Sequence, residues 1–193
     1  MSSFDLAAMK RRLATLLVEK SYREGNFTLA SGRKSDYYFD GKQTALHPEG
    51  GWLIGHLFLD LLKDVPDLIA VGGMTLGADP LASATSVLSW QSDRPLAAFI
   101  VRKNAKGHGT GQYLEGLANI APGSSVAMLE DVVTTGGSLL TACERVRDAG
   151  FHIAAVCAVL DREEGGREAL AQAGYELRAL FRRAELLTLA GKV

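Results

Sequence analysis

Four short apolar runs mark out the C-terminal two thirds of this chain: LIAVGG at 68–73, LAAFIV at 96–101, SVAML at 125–129 and IAAVCAVL at 153–160. Each has the length and aliphatic character of a buried strand. Between most of them lie stretches with helical periodicity, at 78–90, 137–149 and about 163–173. Strand alternating with helix implies an α/β fold, a parallel sheet with helices on both faces, because a parallel connection needs a long crossover. Gly150 and Gly174 fall where the last two of these helices should stop.

Composition agrees with that architecture. Only 7% of the 193 residues are aromatic against 47% hydrophobic, so one largely aliphatic core is expected. The net charge of -1 argues against a dedicated nucleic-acid binder. No apolar run approaches the roughly 20 residues that cross a bilayer. Cys143 and Cys157 both sit in apolar settings and read as buried, reduced thiols of a cytoplasmic protein. Upstream, Leu6, Met9, Leu13, Leu16 and Leu17 recur at helical spacing behind a cap of Ser2 and Asp5. Residues 27–42 are turn-rich and then strand-like, and a second helix over about 49–63 follows Pro48.

The densest chemistry lies in VAMLEDVVTTGGS, Val126 to Ser138. An apolar strand ends in Glu130 and Asp131, two valines follow, and a small-residue turn opens directly into a helix. Such a turn presents backbone N–H groups to an anion, and the helix dipole favours negative charge there. Gly136 and Gly137 allow close approach, while Thr134, Thr135 and Ser138 add hydroxyl donors. The carboxylates cannot hold a phosphate; they suit sugar hydroxyls or a developing positive charge. Neither GxxxxGK[ST] nor GxGxxG occurs in the chain, which excludes the Walker and Rossmann cradles.

One connection breaks the strand–helix rhythm. Residues 102–111, RKNAKGHGTG, bring three cations, a histidine and three glycines into a long loop. It follows a parallel strand at the sheet end where α/β folds bind ligands. A loop of this length is usually functional or disordered, and a solvated basic hairpin is the plain alternative.

Val126–Ser138 closely resembles the substrate signature of type I phosphoribosyltransferases, and the basic loop with Tyr113-Leu114-Glu115-Gly116 resembles that of the orotate phosphoribosyltransferase family. SGRKSDYYFD (31–40), GGMTLGADPLA (72–82) and LDREEGGREAL (160–170) resemble three further motifs of the same family, in the same order. The resemblance spans about Phe27 to Leu187. It implies a single domain over residues 1–193 with the type I fold, a hood from about 1–45 and the C-terminal segment, and a flexible catalytic loop at about 103–115.

The implied substrates are orotate and PRPP (5-phosphoribosyl 1-diphosphate), with Mg²⁺ carried mainly by substrate oxygens and no protein metal site. PRPP would meet Arg102, Lys103, Lys106, His108, Glu130, Asp131, Val132, Val133, Thr134, Thr135, Gly136, Gly137 and Ser138. Lys106, Glu130 and Asp131 would carry catalysis. Orotate would meet Tyr38, Phe39, Thr134 and Arg162, whose planar fork suits a carboxylate. Taken alone, Phe39 serves as well in a hydrophobic hairpin packed on the core. The family's homodimer, with loop residues acting across subunits, is implied too, and neither nucleic acid nor membrane is.

Some positions depart from a common version of the pattern: Ala30 and Leu76 stand at or near lysine positions, and Asp36 replaces a proline. Asn104, Gly107 and Thr110 stand where acids are common. Competing readings are a purine or uracil transferase, a PRPP-sensing regulator and a nucleotide-binding domain without activity. The basic loop and Tyr38 with Arg162 speak against the first, and Lys103, Lys106 and the near-neutral charge against the second; saturable PRPP binding without turnover would favour the third.

Overall fold

The computed structural model describes residues 5–28, 34–105 and 112–192. Its central sheet has the strand order β5-β4-β3-β6-β7-β8, formed by Leu114–Glu115, Ala97–Val101, Leu68–Met74, Ser125–Val133, His152–Asp161 and Leu177–Arg182. All neighbours are parallel except the short edge strand β5, which runs antiparallel to β4. The four apolar runs are β3, β4, β6 and β7, as their composition dictates.

Helices cover both faces. α1 (Leu6–Lys20), α3 (Pro48–Leu61) and α4 (Asp79–Ser89) lie on one side, and α5 (Gly137–Asp148) and α6 (Gly166–Gln172) on the other. The division follows from strand alternation. In β6, Ala127 and Leu129 join the first core, while Val126 and Met128 join the second. Gly150 and Gly174 follow the ends of α5 and α6 with φ of +85° and +86°, a left-handed stop suited to glycine.

Two antiparallel strands, β1 (Tyr22–Thr28) and β2 (Lys34–Phe39), form a separate hairpin that leads through the short α2 (Lys42–Ala45) into α3. The hairpin shares its core with α1 and with α7 (Arg183–Leu189), and Lys10 of α1 bonds Glu185 of α7 at 2.6 Å. Asp5 caps α1 by accepting from the Ala8 amide at 2.9 Å; Ser2 lies outside the described residues. Met9, Leu13, Leu16 and Leu17 are all buried, so the amphipathic stripe of α1 is spent on the chain's own core. Both cysteines are buried and unpaired, and burial pushes each thiol up to about 12, which keeps them protonated and inert.

Candidate active site

β6 does not stop before its acids. It continues to Val133, pairing Glu130 with Ala158, Val132 with Leu160 and Val133 with Asp161 of β7. Successive side chains of a strand leave from opposite faces, yet at the strand end the two adjacent carboxylates both reach one cavity. Asp131 turns toward the α3/α4 side, where the backbones of Gly41 and Gly77 close on it. A Cβ at Gly41 would lie 3.0 Å from Asp131 Oδ2, and one at Gly77 only 2.6 Å from Oδ1. Asp131 Oδ1 accepts from the Val132 amide at 2.9 Å. Glu130 turns the other way and is 7% exposed. Burial pushes its carboxyl well above the usual carboxylate range, the charge of Asp131 adds to that, and Lys103 offsets part of it.

After Val133 the chain leaves the sheet. Gly136 takes a left-handed φ of +82°, and no side chain caps α5, which leaves its first amides free. Space here is enforced from behind: a Cβ on Gly166 would fall 2.4 Å from Val133 Cγ1 and 2.7 Å from the Thr134 carbonyl oxygen. Thr134, Thr135, Gly137 and Ser138 line a concavity of about 90 Å³ with Glu130 at its floor. An uncapped helix N-terminus with hydroxyls around it is an anion seat.

A second cavity of about 280 Å³ adjoins it, with Glu130 and Ser138 shared between the two. Its walls are Asp131, Lys103, the turn Thr75–Gly77 and Lys42. Lys42 is a residue the sequence pattern missed. Its ammonium bonds Asp40 at 2.6 Å. Burial lowers its affinity for the proton, but the bond to Asp40 and the charges of Asp131 and Asp40 outweigh that, and the net shift is upward. No signal in the sequence points to it, because it reaches the cavity through the fold that brings Gly41 against Asp131.

The basic loop leaves and rejoins the sheet beside this cavity. The Arg102 amide donates to the Tyr113 carbonyl at 2.7 Å, and Arg102 Nη1 bonds Glu115 at 3.0 Å. Arg145 braces the join, donating to the Arg102 carbonyl at 2.5 Å with its guanidinium 4.1 Å from the Tyr113 ring centre. Lys103 stands exposed at the cavity rim. Lys106, His108 and Ala30 lie outside the described residues.

At the end of β7 the Arg162 amide bonds the Val133 carbonyl at 2.9 Å, so the arginine lies beside the turn that follows β6. Its buried side chain donates from Nε to Glu164 at 2.8 Å and from Nη2 to Ser35 at 3.3 Å. The ring it covers is Tyr37, 4.3 Å away. Tyr38, one residue along β2, is 44% exposed and tilts against Phe27, while Phe39 faces the core. Alternation along β2 thus gives the Arg162 contact to Tyr37, a residue the sequence reading did not single out.

No protein-family model matches the chain. Among solved structures, an orotate phosphoribosyltransferase of Mycobacterium tuberculosis superposes with a TM-score of 0.80 at 40% identity, over 92% of this chain and 98% of that one. The fold and the uncapped phosphate turn therefore make this a type I phosphoribosyltransferase. Orotate phosphoribosyltransferases of Nostoc sp. and Synechocystis sp. are 46% and 48% identical over 177 residues, covering 92% and 91% of this chain and 84% and 87% of theirs. The chain belongs to the orotate phosphoribosyltransferase family.

Proposed function

We propose that the site transfers the ribose 5-phosphate of PRPP to orotate, forming a bond from the base nitrogen to C1 as the C1–oxygen bond to pyrophosphate breaks. Orotidine 5′-monophosphate and pyrophosphate are the products, the reaction of pyrimidine biosynthesis that the family carries out. The 5′-phosphate sits on the amides and hydroxyls of Thr134–Ser138. The observation that carries this reading is the pair of carboxylates split by strand alternation immediately before that seat. Asp131, hemmed between two glycines, is fixed for the ribose hydroxyls and for the positive charge that develops on the sugar. Glu130, between the two cavities, contributes from the opposite face.

Lys103 and Lys42 line the cavity next to the phosphate seat, and support reading it as the pyrophosphate end. Lys106, with Arg102 and His108, neutralises the leaving group in the transition state and closes water out. Arg162 takes the orotate carboxylate, with Tyr38 and Thr134 near the ring; Phe39, expected beside it from the sequence, packs in the core instead. Among the described residues no group of three or more His, Cys, Asp or Glu side chains is placed to hold a metal. Mg²⁺ fits as an ion carried by substrate: water and PRPP oxygens would supply most of its ligands, with Asp131 the hard oxygen donor nearest to hand. Bound with PRPP, it would neutralise charge on the departing pyrophosphate.

The chain works as a single domain and as a homodimer whose loops act across subunits. Supporting a partner surface, Val87 on α4, Trp90 just after it, Leu76 before it and Leu46 after α2 are all exposed large apolar side chains. No helix among the described residues is long and apolar enough to cross a membrane, and the reduced thiols suit a cytoplasmic setting.

The test is the decline of orotate absorbance with PRPP and Mg²⁺, run beside Lys106→Ala. Turnover that needs both additions and nearly vanishes in the variant is expected. PRPP binding without loss of orotate would overturn the assignment of the base.

A further inference from the structure

The division of roles above uses Arg162 and leaves unused what surrounds it. Tyr37 is 1% exposed, and two guanidiniums lie over its ring, Arg162 at 4.3 Å and Arg183 at 4.1 Å from the ring centre. Each arginine has its own carboxylate. Glu164 bonds Arg162 at 2.8 Å, and Asp36 bonds Arg183 at 3.2 Å. Even so, Arg183 Nε is buried and meets no hydrogen-bond partner among the described residues. Arg183 and Tyr37 line one cavity of about 750 Å³, together with Arg162, Ser35 and Lys34.

Two cations over one ring repel each other, and Glu164 and Asp36 offset part of that repulsion from the side. The aromatic face offsets a further part, since its quadrupole is negative above and below the ring. Buried donors without acceptors are costly, and they persist where a ligand completes them. An anionic, planar ligand entering this cavity answers both conditions. The sequence also explains how Arg183 comes to be here. Asp36, where relatives often carry proline, is the residue that holds it.

We propose that Arg183 and Tyr37 are specificity-determining residues at the base end of the site: Arg183 adds a second positive charge beside Arg162, and the Tyr37 ring holds the two guanidiniums in place. The pocket then favours a pyrimidine that bears a carboxylate over the same ring without one. This rests on the assignment of Arg162 to the orotate carboxylate. Neither residue touches the reacting atoms; both act on binding of the base.

The experiment is steady-state kinetics on the full chain for Arg183→Gln, Arg183→Lys and Arg162→Ala, with melting temperatures and with inhibition by uracil. Arg183→Gln should raise KM for orotate about three- to tenfold, the range a cation–π contact and its charge account for. It should leave kcat, KM for PRPP and uracil inhibition within about twofold, and Arg183→Lys should recover part of the loss. If Arg162→Ala raises the orotate KM while both Arg183 variants match the parent, the proposal is wrong and the assignment of Arg162 stands. If Arg162→Ala leaves it unchanged, that assignment falls, and the proposal with it. An equal rise in both KM values, or an early melt in both Arg183 variants, would show a purely structural role and overturn the proposal as well.

Discussion

Replacing Gly77 by alanine tests the placement of Asp131 with a single methyl group. The new Cβ would sit 2.6 Å from Asp131 Oδ1 and 3.0 Å from Cγ, where ordinary contact begins at 3.4 Å. The carboxylate must therefore withdraw by 3.4 − 2.6 = 0.8 Å. Oδ1 is held by the Val132 amide at 2.9 Å, so the withdrawal also strains that bond. A misplacement of about 1 Å at a reacting centre costs on the order of a hundredfold in rate, or about 2.7 kcal/mol of transition-state stabilisation.

Stability should barely change, by less than about 1 kcal/mol, because Gly77 is half-exposed and its φ is not in the left-handed region. The assay is kcat/KM for PRPP with thermal melting in parallel, in the parent and in an Asp131→Ala background. The expected result is a loss of about a hundredfold in the parent and almost none where Asp131 is already gone, since the two changes act through one contact. Near-parental kcat/KM for Gly77→Ala would refute the reasoning. So would an undiminished loss in the Asp131→Ala background.

Glu130→Gln should melt higher than the parent near neutral pH while losing turnover. Burial, then the charge of Asp131, raises the Glu130 carboxyl above its ordinary 4.5, so the folded chain keeps a proton that the unfolded chain releases. The parent therefore loses stability relative to the variant as pH climbs from about 4.5 toward the folded value, and the two should nearly coincide below about pH 4. A gap that does not change with pH would contradict this. Lys42→Ala should raise KM for PRPP about tenfold, the scale of a charge-assisted contact, in a PRPP titration at saturating orotate; an unchanged KM would remove Lys42 from the site. Trp90→Glu should shift sedimentation toward the monomer, because Trp90 is 78% exposed and apolar. Unaltered sedimentation would show that this surface is not the interface of the proposed dimer.

What could be read from the sequence was whatever periodicity and composition determine locally. α1, β3, β4, β6, β7 and α5 all show their pattern within a dozen residues or so, and their apolar faces needed no partner to be recognised. β1 did not, because YREGNFT is polar and interrupted by glycine. It is a strand through its partner, with Tyr22 opposite Phe39 and Tyr37 opposite Glu24. β8 was missed for a related reason. LRALFR mixes arginines into an edge strand, and Arg178 is accommodated by donating to the Leu61 carbonyl at 3.2 Å.

The site divides along the same line. Glu130 and Asp131 stand out as neighbours in sequence, and a strand ending at 129 would let both face one ligand. Because β7 continues to pair with β6 as far as Val133, alternation is enforced through the acids: they leave opposite faces of the strand and still share one cavity at its end. One meets a desolvated wall, the other a slot made by two glycines 36 residues apart, Gly41 and Gly77. Neither glycine is in a conformation that only glycine adopts, so no local signal marks them as part of the site. The same alternation in β2 hands the Arg162 contact to Tyr37 instead of its neighbours. Motif spacing identifies which residues meet the substrate region, but strand register decides which face each presents. Register is a property of pairing between distant segments, and so it is read from the fold.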